Sequence, residues 1–175
     1  DDVDVFNAAV REQAELAVVE ADFILFLVDG KADPTASDKD LAKLVRKSGK
    51  PHMLVVNKCD TLEIDEQQLR FYELGIESMV TISALNGRLT GLMLEQITAV
   101  LNPTTTKQDE ESYMRLAIVG MPNVGKSSLT NALLQKEQTI VTPIAGTTRD
   151  SIDTAFTWYG KTIVLVDTAG LRKRA

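Results

Sequence analysis

The feature that most constrains this chain is an eight-residue loop between an apolar run and a helix-forming segment. The loop is Gly120-Met121-Pro122-Asn123-Val124-Gly125-Lys126-Ser127, after the run at 116–119 and before the segment at 128–134. It matches the pattern G-x-x-x-x-G-K-[ST] in the strand, loop and helix setting that the pattern requires. The two glycines let backbone N–H groups converge on a phosphate at the positive end of the helix. Lys126 would reach the β- and γ-phosphates, and the Ser127 hydroxyl would bind Mg²⁺.

Composition excludes several classes of protein. The chain has 175 residues, of which 44% are apolar and 25% charged, as expected for a globular domain with a core. Its net charge of −6 argues against a general nucleic-acid or membrane surface. Cys59 is the single cysteine, and no signal peptide or membrane-length apolar run is present, so we expect a reducing, cytoplasmic setting. Since Asp1 is not an initiator methionine, we expect a processed piece or a fragment.

The first hundred residues alternate between helical and strand patterns. Continuous apolar runs at 23–28, 52–56 and 78–82 are typical of strands buried on both faces of a parallel sheet. Helical periodicity predicts helices over 5–20, 38–48, 65–74 and 89–101, and Ser37 with Asp40 forms a candidate capping box. A polar stretch at 104–112 without apolar residues predicts a linker.

The last sixty residues supply the remaining elements. The phosphate-binding loop and its helix are followed by a predicted loop at 139–148 and by a β-hairpin with arms at 154–158 and 162–166. Counting elements gives six strands and five helices. The predicted fold is therefore an α/β three-layer sandwich of the P-loop NTPase class, with a mostly parallel six-stranded sheet and one antiparallel hairpin strand.

Polar residues at the ends of two strands predict a purine site. The box Asn57-Lys58-Cys59-Asp60 follows the strand at 52–56, at the edge where open α/β sheets place ligands. The Asp60 carboxylate can accept from both N1–H and the exocyclic amino group of guanine, a donor pair that adenine lacks. Asn57 would tie this loop to its neighbours, and the Lys58 stem would lie against the base. Ser83 and Ala84 follow the next strand, where backbone N–H groups would meet the guanine O6.

Two further segments complete the predicted phosphate site. Asp167-Thr168-Ala169-Gly170 ends a hairpin arm, and its carboxylate would serve Mg²⁺ through water while the Gly170 N–H approaches the γ-phosphate. The segment at 143–150 has the place of a switch loop, in which Thr147 or Thr148 closes on Mg²⁺. The predicted phosphate-binding residues are Gly120, Asn123, Val124, Gly125, Lys126, Ser127, Ser128, Asp167 and Gly170.

These motifs together resemble the TrmE–Era–EngA–YihA–Septin GTPases, and specifically the members of that family with two G domains in tandem. The phrases that carry the resemblance are Met121-Pro122-Asn123-Val124-Gly125-Lys126-Ser127-Ser128, Ile144-Ala145-Gly146-Thr147-Thr148-Arg149-Asp150 and the segment from Asp167 to Arg174. The resemblance covers essentially the whole chain. It implies cytoplasmic GTP hydrolysis coupled to maturation of the large ribosomal subunit.

The resemblance also implies roles for matching positions. Asn123 would ligate K⁺ in cation-activated members, Thr148 is the threonine for Mg²⁺, and Lys126, Thr148 and Gly170 would form the catalytic set. Leu171 occupies the position of a water-orienting Gln in many other GTPases, and leucine cannot hydrogen-bond water. Hydrolysis assisted by K⁺ is therefore implied, because K⁺ would supply the charge that an arginine finger supplies elsewhere.

The order of the motifs departs from that of one G domain. Residues 1–102 carry the base-recognition loops of a first G domain, 103–113 form the linker, and 114–175 carry the phosphate loop and switch segments of a second. Together they supply one full set of G-domain elements in circularly permuted order. Three alternatives stay open: a domain-swapped dimer, a nucleotide-binding or interaction module without turnover, and an inert fragment. Without a KH-like portion, we expect no direct binding to nucleic acid.

Overall fold

The structure, a computed structural model, describes residues 2–100, 113–135, 142–145 and 152–166. Residues 103–112 of the linker predicted at 103–113 lie outside these residues, and its last residue, Tyr113, is instead the first residue of a strand. Four predicted site positions, Thr147, Thr148, Asp167 and Gly170, also lie outside the described residues.

The described residues form five α-helices and seven strands. The helices are α1 (Asp2–Glu20), α2 (Ala36–Lys47), α3 (Leu62–Glu66), α4 (Thr90–Ala99) and α5 (Lys126–Leu134), with a 3₁₀ helix over Gln67–Leu74. The strands are β1 (Phe23–Asp29), β2 (His52–Asn57), β3 (Met79–Thr81), β4 (Tyr113–Gly120), β5 (Thr142–Ala145), β6 (Ile152–Trp158) and β7 (Lys161–Leu165).

All seven strands belong to one sheet in the order β3-β2-β1-β4-β7-β6-β5. Every strand except β6 runs in the same direction, so the prediction of a mostly parallel sheet with one antiparallel hairpin strand is confirmed. The residues before the linker supply β1 to β3, and those after it supply β4 to β7. The seam is the parallel pairing of β1 with β4, in which Leu27 lies opposite Gly120.

Helices cover both faces of this sheet, which confirms the three-layer sandwich. On one face Leu25 and Leu27 of β1 pack in a cluster with residues of α4 and α5. On the other face Ile24 and Phe26 pack with residues of α1 and α2. Because α4 and α5 come from opposite sides of the linker yet share a core, neither part of the chain buries its sheet alone.

Three local expectations were wrong. Residues 142–145, predicted as part of a loop, form an edge strand because they pair antiparallel with β6, and they add a seventh strand to the six predicted. The capping box of α2 uses Thr35 and Asp38, since Thr35 is extended (φ −85°, ψ 167°) and exchanges hydrogen bonds with Asp38. The helix predicted over 65–74 is instead the short α3 followed by the 3₁₀ helix.

The hairpin prediction is confirmed, but its turn is one residue shorter than the predicted 159–161, because Lys161 pairs with Trp158 and begins β7. Tyr159 and Gly160 connect β6 to β7, and both have positive φ (47° and 76°). Two successive residues with positive φ are typical of the tight turn whose twist matches that of paired strands.

Candidate nucleotide-binding site

The phosphate-binding loop lies at the carboxyl end of β4 and leads directly into α5. Asn123 (φ 66°) and Gly125 (φ 103°) both adopt left-handed backbone conformations, which bend the loop tightly before the helix starts at Lys126. The Lys126 ammonium folds back over the loop and donates to the carbonyl oxygens of Gly120 (2.7 Å) and Met121 (2.9 Å). The lysine is therefore held inside the curve of the loop, close to where a phosphate chain would sit.

Asn57 joins this loop to the predicted base-recognition loops. Its side chain is buried, donates from Nδ2 to the Val124 carbonyl at 2.9 Å, and accepts at Oδ1 from the Ala84 N–H at 2.9 Å. One amide thus bridges three loops from both sides of the linker. The Ala84 N–H is engaged by Asn57 in this structure, and the expected contact of this segment with guanine O6 stays a prediction.

Gly125 has no room for a side chain because Asn57 lies against it. A Cβ built at this position would be 2.1 Å from Asn57 Nδ2, and the backbone φ of +103° is unfavourable for any residue with a side chain. Gly120 is similarly confined, since its Cβ would lie 2.6 Å from the Leu27 carbonyl oxygen. The two glycines of the phosphate loop are therefore required by contacts with residues that precede the linker.

We expect Gly125→Ala to lower the free energy of unfolding by about 1–3 kcal/mol, because it combines backbone strain with displacement of the Asn57 amide. Urea denaturation followed by circular dichroism would measure this. Gly87→Ala is a suitable control, since Gly87 also has positive φ but no atom within 4 Å of a built Cβ. If Gly125→Ala cost no more than Gly87→Ala, the close contact with Asn57 would not exist in solution.

Asp60 is held at the end of β2 by two partners. Its Oδ1 accepts from the buried Ser83 hydroxyl at 2.7 Å, and its Oδ2 lies 2.7 Å from the Lys31 ammonium. Hydrogen bonds from Lys31 and then Ser83 hold the pKa of the Asp60 carboxyl below its usual range. Asp60 is therefore ionised at neutral pH, which is the state that can accept two N–H donors from one base.

Lys58 is also fixed by an ion pair. Its ammonium lies 2.8 Å from Asp29 Oδ2, and its backbone is left-handed with φ 65°. A non-glycine residue in this region costs conformational energy, a feature found often at ligand sites. The Lys58 side chain lines the cleft described next.

A cleft of about 540 Å³ lies over the phosphate loop. One wall consists of loop and α5 residues, including Asn123, Lys126 and Ser127, and Val166 lines it at the end of β7. The other wall is α1, which contributes mainly apolar side chains: Phe6, Ala9, Val10, Gln13, Ala14 and Ala17. The sequence predicted α1 as a helix but not as a wall of this site.

The predicted site residues thus fall into two groups. Those the structure describes gather around the ends of β2, β3 and β4: Asn57, Lys58, Asp60, Ser83, Ala84, Gly120, Asn123, Val124, Gly125, Lys126, Ser127 and Ser128. The others, Thr148, Asp167 and Gly170, lie outside the described residues. Asp167 directly follows Val166, whose side chain lines the cleft.

The motifs imply a divalent cation, and one described residue offers an oxygen ligand for it. Ser127 supplies a half-buried hydroxyl at the start of α5, on the wall of the cleft, and an oxygen donor there suits Mg²⁺. Among the described residues there is no group of three or more His, Cys, Asp or Glu side chains that could hold a metal ion.

None of the helices in the described part of the chain is long and apolar enough to cross a membrane.

Sequence reasoning missed Asp29 and Lys31. They flank Gly30 directly after β1, and their charges pair with Lys58 and Asp60. The sequence does contain a pattern that could have indicated these pairs: Asp29-Gly30-Lys31 at the end of β1 has the reverse order of charges to Lys58-Cys59-Asp60 after β2. Recognising it required knowing that β1 and β2 are adjacent.

The chain matches a family model described as a 50S ribosome-binding GTPase over residues 5–58 and 115–175. It is 50% identical over 163 residues to a protein called GTPase Der from Chloroflexus aggregans, covering 93% of this chain and 36% of that protein. A GTPase Der from Heliobacterium modesticaldum is 47% identical over 169 residues, covering 97% of this chain and 38% of that protein. The chain therefore spans little more than a third of the length of these curated relatives.

One solved structure that aligns with this chain is that of YjeQ from Thermotoga maritima. It aligns with 87% of this chain and 50% of its own, at a TM-score of 0.49 and 21% sequence identity. Similarity at this level carries no functional conclusion.

Proposed function

The chain belongs to the family of 50S ribosome-binding GTPases, and on that premise we propose that it binds GTP and GDP in a single site built from both sides of its linker. The observation that carries this proposal is the Asn57 side chain, which hydrogen-bonds Val124 of the phosphate loop and Ala84 of the predicted base loop. A purine nucleotide has its base and its phosphates at opposite ends. A single site that binds both the base and the phosphates requires the base loop and the phosphate loop to be fixed relative to each other. The two hydrogen bonds of Asn57 fix them.

The guanine end of the site would depend on Asp60. Its carboxylate is ionised, held by Ser83 and only 30% exposed. Adenine would leave this acceptor pair without donors, and selectivity that rests on a desolvated hydrogen-bonding group is strong. Lys58 lines the cleft over the phosphate loop, and its stem would lie along the base.

The phosphate end would depend on Lys126 and the N-terminus of α5. When a nucleotide binds, the Lys126 ammonium would exchange its two carbonyl partners for β- and γ-phosphate oxygens. Mg²⁺, which we propose is held by Ser127, Thr148 and Asp167, supplies positive charge for the leaving group when bound. Gly170 would meet the γ-phosphate through its N–H.

We further propose that K⁺ stimulates hydrolysis at Asn123. Asn123 is exposed, has a left-handed backbone conformation itself and lines the cleft over the phosphate loop. An amide oxygen is a suitable ligand for a hard monovalent cation. Turnover measured in KCl and in NaCl at equal ionic strength should then be faster in KCl, and equal rates would contradict the proposal.

In the cell, we propose that the protein to which this chain corresponds acts in the cytoplasm in assembly of the large ribosomal subunit. The family description and the resemblance to Der-type GTPases support this role.

Asp60→Asn tests the nucleotide assignment. The substitution replaces one acceptor oxygen with a donor, so we expect GDP affinity to fall about tenfold to a hundredfold, as for loss of a hydrogen bond to a charged group. Affinity for xanthosine diphosphate, which presents a carbonyl in place of the 2-amino group, should rise. Fluorescence titration with labelled nucleotides would measure both, with Asp40→Asn on the exposed surface of α2 as the control. An unchanged preference for GDP would remove Asp60 from the base site.

A further inference from the structure

The loops that follow β1 and β2 carry opposite charges in mirrored order. Asp29-Gly30-Lys31 begins with the last residue of β1, and Lys58-Cys59-Asp60 directly follows β2, with Asp29 directly opposite Asn57 in the parallel register. Two ion pairs cross between the loops. Lys58 Nζ lies 2.8 Å from Asp29 Oδ2, and Lys31 Nζ lies 2.7 Å from Asp60 Oδ2.

Gly30 allows the loops to approach this closely. Its N–H donates to the Asn57 carbonyl at 2.7 Å, and a Cβ at this position would be 2.7 Å from that oxygen and 2.9 Å from Cys59 Sγ. Arg70 holds the same loop from the other side, donating to the Gly30 carbonyl at 2.6 Å and pairing with Asp33 at 3.0 Å. The backbone at Lys31 is therefore held near Asp60 by contacts other than the ion pair.

The acceptor sites of Asp60 can be counted. An ionised carboxylate has two oxygens with about four acceptor positions in total. Ser83 occupies one position on Oδ1, and Lys31 occupies one on Oδ2. One acceptor position then remains on each oxygen, and a carboxylate held at both oxygens cannot rotate freely. Guanine presents two adjacent donors, N1–H and the 2-amino group.

We propose that Lys31 is a positioning residue for guanine recognition: together with Ser83 it fixes the plane of the Asp60 carboxylate so that one acceptor position on each oxygen faces the base. This inference rests on the proposed function, since it concerns the same site. Lys31 acts through Asp60 and does not itself contact the base.

Hypoxanthine nucleotides distinguish this role from a general structural one. Inosine diphosphate (IDP) has the N1–H donor but lacks the 2-amino group, so it needs only one oxygen of Asp60. A single hydrogen bond tolerates rotation of the carboxylate, whereas a pair of parallel hydrogen bonds does not. Loss of Lys31 should therefore weaken GDP binding more than IDP binding.

The experiment compares Lys31→Met, Lys31→Arg and the unsubstituted chain. Met keeps an apolar stem of similar length and removes the charge. Titration calorimetry with GDP, IDP and ADP would give the affinities, and thermal unfolding would report stability. Lys39→Met is the matched control, because Lys39 is a comparably exposed lysine paired with Glu73 on the 3₁₀ helix.

We expect Lys31→Met to weaken GDP binding about two- to fivefold, the range for loss of a partly exposed ion pair, and to weaken IDP binding less, so that the GDP-to-IDP affinity ratio falls. Lys31→Arg should restore most of that ratio, and Lys39→Met should leave it unchanged. Equal losses for GDP and IDP, unchanged GDP affinity or tighter GDP binding would each overturn the inference.

The unsubstituted chain separates this inference from the function on which it rests. If that chain showed no preference for GDP over ADP, the proposed function would fail, and the role of Lys31 with it. If it preferred GDP and Lys31→Met left the GDP-to-IDP ratio unchanged, only the role of Lys31 would fail.

Discussion

Asn57→Ala should lower the free energy of unfolding by about 2–4 kcal/mol and weaken guanine-nucleotide binding at the same time, because it leaves two buried backbone groups without partners. The Ala84 N–H and the Val124 carbonyl both bond to this one side chain, and both residues are buried. The two losses should occur together, since the same bonds hold the base loop and the phosphate loop in place. Chemical denaturation and GDP titration on the same preparation would measure them.

Asn131→Ala provides the control for that substitution, because Asn131 is an exposed asparagine on α5. It should change stability by less than about 0.5 kcal/mol. If Asn57→Ala were equally mild, the two loops would not be joined in solution as they are in the structure.

Lys126→Met should reduce affinity for GDP and GTP about a hundredfold or more, because it removes the one side-chain cation in the curve of the phosphate loop. Stability should change by less than about 1 kcal/mol, since the lysine's partners are two loop carbonyls at the cleft surface. The substitution therefore separates binding from folding, which Asn57→Ala does not. Equilibrium dialysis with labelled GTP would measure the loss.

Lys43→Met on the exposed face of α2 is the matched control for Lys126→Met. It removes the same charge from the chain but lies in a helix that does not line the cleft, so GTP affinity should be unchanged. Comparable GTP binding by Lys126→Met and the unsubstituted chain would exclude the phosphate loop as the binding site.

The sequence predicted the buried strands well because their signal is local. Continuous apolar runs mark β1 and β2, and each run ends in polar residues that the parallel sheet brings to one edge. The strand, loop and helix around Lys126 were predicted equally well, since the glycines and Lys126 have fixed spacing. Asn57 was correctly predicted to tie loops together.

What the sequence could not give depends on pairing between distant segments. The local sequence of residues 142–145 indicates a loop, and they form a strand only because they pair with the edge of β6. Thr35 and Ser37 both suit the start of α2, and only the extended backbone at Thr35 decides between them. The ion pair between Lys31 and Asp60 depends on the adjacency of β1 and β2, which no local pattern encodes.

The circularly permuted arrangement has a simple physical basis. The seam between the parts of the chain before and after the linker is the parallel pairing of β1 with β4, and the cores on both sheet faces extend across it. Each part alone would expose one edge of its sheet together with apolar residues. Burial of both faces favours association of the two parts, either within one chain or between two copies.

Native mass spectrometry with added GDP tests most directly whether one chain forms one complete site. We predict a 19.2 kDa monomer that carries a single GDP, with Asn57→Ala and Lys126→Met each reducing the bound fraction although they lie on opposite sides of the linker. A dimer that alone carries nucleotide would contradict the account, because the parts would then meet between chains. A monomer that carries none would contradict it as well.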